Sequence, residues 1–104
     1  MAYVPSQFNL MYGDMQGKFR MWVLDTSDAA ADVDTAAYVS DGYTRGARKG
    51  DLVLRRTWAG TVDTTGNRAN WGALSTWGWH MVKDESTASV DLTDTTTGTM
   101  TDTD

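Results

Sequence analysis

Several stretches of the chain alternate apolar and polar residues with a period of two, the signature of a strand with one covered face. In "GKFRMWVLDT" the set Phe19, Met21 and Val23 alternates with Lys18, Arg20 and Trp22. In "ALSTWGWHMV" Trp77, Trp79 and Met81 share one face, with Thr76, Gly78 and His80 opposite. "STASVDLTD" sets Ala88, Val90 and Leu92 against Thr87, Ser89, Asp91 and Thr93. "GDLVLRRTW" is a further strand. Leu52, Leu54 and Trp58 lie on one side, interrupted by Arg56, and Val53, Arg55 and Thr57 on the other. "AGTVDTTGNRANWG" predicts a short strand and then a turn at "TTGN", and Gly13 and Gly17 bracket a turn in "YGDMQG".

The one stretch with helical leanings is "SDAAADVDTAAYVSDG". Its alanines favour helix and its Asp and Ser residues favour caps and turns. It predicts a flexible acidic loop and then a single helical turn over Thr35 to Val39, with Asp34 as N-cap and Gly42 past the end. The last ten residues, "TTTGTMTDTD", are polar, Thr-rich and acidic. They read as a frayed tail or as a strand to be added to a neighbour. With five or six short strands and no long helix, the pattern predicts an all-β fold, a small β-barrel or β-sandwich. The expected organisation is a single β domain over residues 1–94 and an extended acidic tail over 95–104.

Composition narrows the function classes. The chain has 104 residues, enough for one domain. It has no cysteine, so neither disulfides nor thiolate chemistry are available. The N-terminus lacks a basic region followed by an apolar run, so no signal peptide is expected. The longest apolar run, "MWVL", is far short of the ~20 residues of a membrane helix. Net charge is −5, which argues against broad nucleic-acid binding. The charge is segregated: Asp25, Asp28, Asp32, Asp34 and Asp41, then Arg45, Arg48, Lys49, Arg55 and Arg56, then only acids from Asp84 onward. Five tryptophans are many for so small an interior, which points to some of them serving an interface.

Catalytic signatures are missing. His80 is the only histidine, and without cysteine the usual zinc ligand sets cannot form. "DVD" at Asp32 to Asp34 lacks the loop pattern of a calcium site. Glu85 is the only glutamate, nothing marks a carboxylate pair, and "GARKGD" lacks the phosphate-loop spacing. No cofactor and no metal are expected. The basic stretch "YVSDGYTRGARKGDLVLRRTW" combines turn glycines with cations that turn chemistry does not require. Arg45, Arg48, Lys49, Arg55 and Arg56 with Trp58 form a candidate partner-binding stripe, joined by Trp77 and Trp79. An acidic protein or another copy of this chain is the expected partner.

The same stretch resembles small structural proteins of tailed bacteriophages. The matching residues are Tyr38, Val39, Ser40, Asp41 and Gly42, then Arg45, Gly46, Ala47, Arg48, Gly50 and Asp51, then the apolar strand from Leu52 to Leu54. "FNLMYGDMQGKFRMWVLDTSD", Phe8 to Asp28, is also similar, and together the resemblance spans about half the chain. It implies a virion protein on the capsid exterior, made in the host cytoplasm. Its role would be a head decoration or cement protein binding the major capsid protein, as a homo-oligomer with a trimer favoured. A head-fibre or tail-associated protein is the neighbouring alternative, and a small single-stranded nucleic-acid binder a more distant one.

Overall fold

The computed structural model describes residues 3–13, 19–94 and 96–100. Among these, six strands form one sheet: β1 (Phe8–Gly13), β2 (Arg20–Thr26), β3 (Leu52–Trp58), β4 (Leu74–Glu85), β5 (Val90–Leu92) and β6 (Thr96–Thr99). The order is β1-β2-β3-β4. The far edge of β4 is shared, with β6 along Thr76 to Trp79 and β5 along Val82 to Glu85. Two single-turn helices, α1 (Ala30–Val33) and α2 (Gly42–Arg45), lie between β2 and β3.

One pairing dictates the layering. β2 and β3 are parallel, while every other pair in the sheet is antiparallel. Parallel neighbours need a crossover that returns the chain to its starting end. Residues 27–51 make that return across one face of the sheet. Val33, Tyr38, Val39 and Ala47 from the crossover pack on Trp22, Leu24, Val53 and Val82 from the strands and on Phe8, Val90 and Leu92. Phe8 and Trp22 stack with centroids 4.7 Å apart and planes 2° from parallel. The crossover is bonded down at several points. Val39 bridges to Val90, the Tyr43 N–H donates to the Ala88 carbonyl at 2.8 Å, and the Gly50 N–H to the Val82 carbonyl at 2.9 Å. Gly42 sits where a Cβ would fall 2.6 Å from Val90 Cγ2, so this close approach requires glycine.

The crossover ends on a buried carboxylate. Asp51 is 2% exposed, and its Oδ2 accepts from three donors: Trp22 Nε1 at 3.0 Å, Arg20 Nε at 3.1 Å and the Arg48 N–H at 2.9 Å. It ties the start of β2, the last crossover turn and the start of β3 to one atom. The same pairing of an indole N–H with an aspartate recurs, from Trp58 to Asp25 at 3.0 Å and from Trp71 to Asp63 at 3.1 Å.

The mainly-β expectation holds, but the sheet is not closed into a barrel, and its second layer is the crossover segment rather than a second sheet. The helical turn expected over Thr35 to Val39 does not form. Ala37 takes φ +62°, outside the helical region, and Val39 is pulled into its bridge with Val90. Helix appears on either side instead, with Asp34 capping the C-terminal end of α1 and Gly42 opening α2. No strand forms at residues 59–62, where the chain turns toward a 3₁₀ turn at Arg68–Asn70. Thr96 to Thr99 pair with β4 of the same chain. The turn expected in "YGDMQG" and the end of the tail, residues 14–18 and 101–104, lie outside the described residues.

Replacing Asp51 with alanine strands the buried Trp22 indole N–H and takes the partner from the partly buried Arg48 N–H and Arg20 guanidinium. The expected loss is about 3 kcal/mol in urea unfolding at neutral pH. Asp91→Ala, which removes only the 3.6 Å pairing with a half-exposed Lys83, is expected to cost less than about 0.5 kcal/mol.

Candidate docking face

With the crossover occupying one face, the other lies open. Strand register aligns its side chains in rows. Met21, Leu52 and Met81 form one, Val23, Leu54 and Trp79 the next, and Asp25, Arg56 and Trp77 the third. Tyr12, paired with Met21, extends the first row onto β1 and lies 6.3 Å from the Phe19 ring. Trp77, Trp79 and Met81 remain 36%, 38% and 44% exposed, and Tyr12 and Phe19 55% and 38%. Since large aromatics carry 150–250 Å² each, these five side chains leave on the order of 500 Å² of apolar surface open on one face. That matches the largest patch an ordinary monomer shows, which often marks a functional surface.

The face carries its charge in closed form. Arg56 donates from Nε to Asp25 Oδ1 at 2.7 Å and from Nη2 to Oδ2 at 2.8 Å, and its guanidinium lies 5.8 Å from the Trp58 ring. Trp77 is held down by β6. A Cβ on Gly98 would fall 2.1 Å from Trp77 Cε2, so the ring lies directly against that strand.

The structure divides the expected basic stripe. Alternation along β3 sends Arg55 and Arg56 to opposite faces. Arg55 is fully buried beneath the crossover. Arg45 is exposed and pairs with Asp41 at 2.7 Å. Arg48 lies 3.7 Å over the Tyr43 ring and donates from Nη1 to the carbonyls of Tyr43 and Ala47 at 2.8 and 2.9 Å. Lys49 is exposed, and its backbone N–H donates to Glu85. Trp58 is half-buried against Trp71, 5.5 Å away. Of the expected set, Trp77, Trp79 and Arg56 come together on the open face, and the loop cations lie elsewhere. Sequence reasoning did not single out Met21, Val23, Leu52, Leu54 and Met81 as part of a site, although their alternation was visible.

Arg55 and His80 form a polar seam inside. His80 Nδ1 must donate to the Thr93 carbonyl, at 2.7 Å, which leaves Nε2 to accept from Arg55 Nε at 3.3 Å. Arg55 Nη1 donates to Thr57 and, at 3.2 Å, to Thr76, while Nη2 has no hydrogen-bond partner. Burial lowers the Arg55 pKa. Burial also lowers the His80 pKa from its ordinary 6.5. Arg55 adds to that, while the Thr93 carbonyl, Asp34 and Asp94 oppose it. This seam is enclosed, and among the described residues no group of three or more His, Asp or Glu could hold a metal ion. A shallow groove of about 530 Å³ between Asp34, Lys83, Asp91 and Asp94 is acidic and gathers no convergent constellation. Among the described residues no helix is long and apolar enough to cross a membrane. Compared with protein-family models, with curated proteins and with solved structures, the chain matches none.

His80 binds its proton more weakly in the fold than in the unfolded chain, so the unfolded state gains protons first as pH falls. Stability is therefore complete above the ordinary value of 6.5 and declines below it toward the lower folded pKa. Unfolding free energy measured between pH 7 and about 5 is expected to fall in the wild type and to fall less in His80→Gln, which takes up no proton. The Asp34 carboxyl, raised by burial and by its hydrogen bond with Asp94, acts in the opposite sense but is common to both proteins, so the difference between them reports the histidine.

Proposed function

We propose that this chain is a structural protein of a tailed-phage particle. It binds the outside of the assembled capsid and stabilises it, as a head decoration protein without catalytic activity. The observation that carries a binding role is the open sheet face: an apolar surface whose Arg56 and Asp25 are closed on each other. A seam between capsomers gains stability from any module that buries apolar area across it, and repeated copies add avidity.

The phage assignment rests on the resemblance at Tyr38 to Leu54. Several of those residues have structural work in this fold. Tyr38, Val39, Gly42, Ala47 and Asp51 are all buried where the crossover seats on the sheet. The resemblance therefore speaks first to architecture, and function follows from it by analogy. A head-fibre or tail-associated protein would use the same module at lower copy number. The single-stranded nucleic-acid reading is weaker, since Arg55 is buried and both Arg45 and Arg56 are neutralised by aspartates.

Purified protein mixed with heads that lack it should sediment with them and resist washing. The bound amount should reach a copy number matching a symmetry site of the shell, on the order of hundreds per particle. Protein that stays in the supernatant at every concentration would remove the capsid reading. A few to some dozens of copies would move it to a fibre or tail.

A further inference from the structure

The face just described is a docking surface on the reading above, and its own shape and charge identify an occupant. We propose that before heads are present its partner is a second copy of this chain, packed sheet against sheet about a twofold axis that runs along β3, a contact that opens when the same face seats on the shell.

Three observations lead there. The first is relief. In the inner strands the β2 side of the face is low, carrying Val23 and Met21, and the β4 side is high, carrying Trp79 and Trp77, while Tyr12 and Phe19 rise again beyond Met21 at the β1 edge. A twofold axis along β3 lays the β4 side of each copy over the β2 side of the other. Trp79 then meets Val23 of the second copy, Met81 meets Met21, and Leu54 and Leu52 meet their own counterparts. High seats on low, so a face with this gradient is complementary to itself, as an isologous contact requires. Packed sheets lie ~10 Å apart with strands within about 30° of each other, a spacing that interdigitated Trp, Met and Leu side chains fill.

The second is charge. The whole chain carries −5, so most ways of bringing two copies together bring like charge together. The open face is the exception. Its third row sets Arg56 over its own counterpart and Trp77 over Asp25, and each Arg56 is held by its own Asp25 through two hydrogen bonds, so two such faces meet with their charges already paired. An acidic or basic partner would find no unpaired charge in these rows to recognise.

The third is area. The ~500 Å² of exposed aromatic and Met81 surface is joined by the partly exposed Met21, Val23, Leu52 and Leu54. Together they approach the ~800 Å² per partner of a stable standard interface. Met21 and Met81 are unbranched and adapt to the opposing surface, which suits the rim of the contact.

The test is the oligomeric state of the purified full chain by sedimentation equilibrium from about 1 to 200 µM, the range in which a contact of this size dissociates. The wild type is expected to be a dimer with a dissociation constant near or below about 10 µM. Dilution should shift the Trp77 and Trp79 fluorescence to the red as water reaches the rings. Trp79→Lys and, separately, Met81→Lys change side chains that are partly exposed in the monomer, and circular dichroism checks that each variant keeps the fold. Each should weaken association at least ~30-fold, from burying an unpaired charge. Val23→Trp raises the low side and should dissociate the dimer, and adding Trp79→Val should restore it, which a nonspecific apolar contact would not do.

A wild type that stays monomeric across the range, or forms a trimer, overturns the proposal. So does a dimer that persists in both lysine variants. The capsid reading is read out separately, by sedimentation with heads. Monomeric wild type that binds heads, with binding lost in Trp79→Lys, would overturn the dimer, keep the decoration role and give this face to the shell. Dimeric wild type that ignores heads would keep the dimer and remove the decoration role.

Discussion

The architecture depends on one constraint, the parallel pairing of β2 with β3, and on the buried carboxylate that secures it. Parallel neighbours oblige the chain to cross the sheet, and a 25-residue-scale crossover covers one face of so small a sheet and no more. Asp51 closes that crossover by accepting from Trp22, Arg20 and the Arg48 backbone through one oxygen. A charged acceptor with three donors is stable in the interior because its desolvation is offset by charge-assisted hydrogen bonds. The covered face becomes the core. Among the described residues no helix or crossover covers the other face, and its apolar rows stay partly exposed.

The covered face holds polar residues as well as the core. Arg55, His80, Thr57 and Thr26 are all buried on it. They are tolerated because they satisfy one another. Thr26 donates to the Tyr38 hydroxyl at 2.7 Å, Tyr38 donates to Asp28 at 2.7 Å, and Thr57 donates to the Asp28 carbonyl at 2.8 Å. Such a network costs little when complete and much when broken. The Arg55 Nη2 left without a partner is its weak point. Keeping polar residues inside frees Met, Leu and Trp for the outside, which a chain that works alone in water would not favour.

The strands were legible where a period of two ran long enough, at β2, β3, β4 and β5. β1 was legible only as an aromatic-rich segment of the phage-like pattern. Which face turned inward was not legible. Phe19, Met21 and Val23 outscore Arg20 and Trp22 on hydropathy, and Trp77, Trp79 and Met81 outscore Gly78 and His80. Yet Trp22, Gly78 and His80 are the buried ones. Hydropathy values each residue alone, whereas burial of His80 and Arg55 depends on partners 13 and 25 positions away. The basic stripe failed for a related reason. Adjacent cations in sequence occupy opposite faces in a strand, so linear clustering at Arg55 and Arg56 was never spatial clustering.

By itself, then, the sequence determined the mainly-β class, the strand periodicity, the aromatic surplus that called for an interface, and the absence of thiol chemistry. These follow from local spacing and composition, which survive in any fold the chain adopts. Tertiary structure alone decided that the sheet stays open, that the face carrying Arg55 and His80 goes inside, and that Trp77, Trp79 and Met81 stand with Leu52, Leu54, Met21 and Val23 on the other face. Those outcomes depend on strand order and on hydrogen bonds between distant residues, and a pattern read one position at a time contains neither.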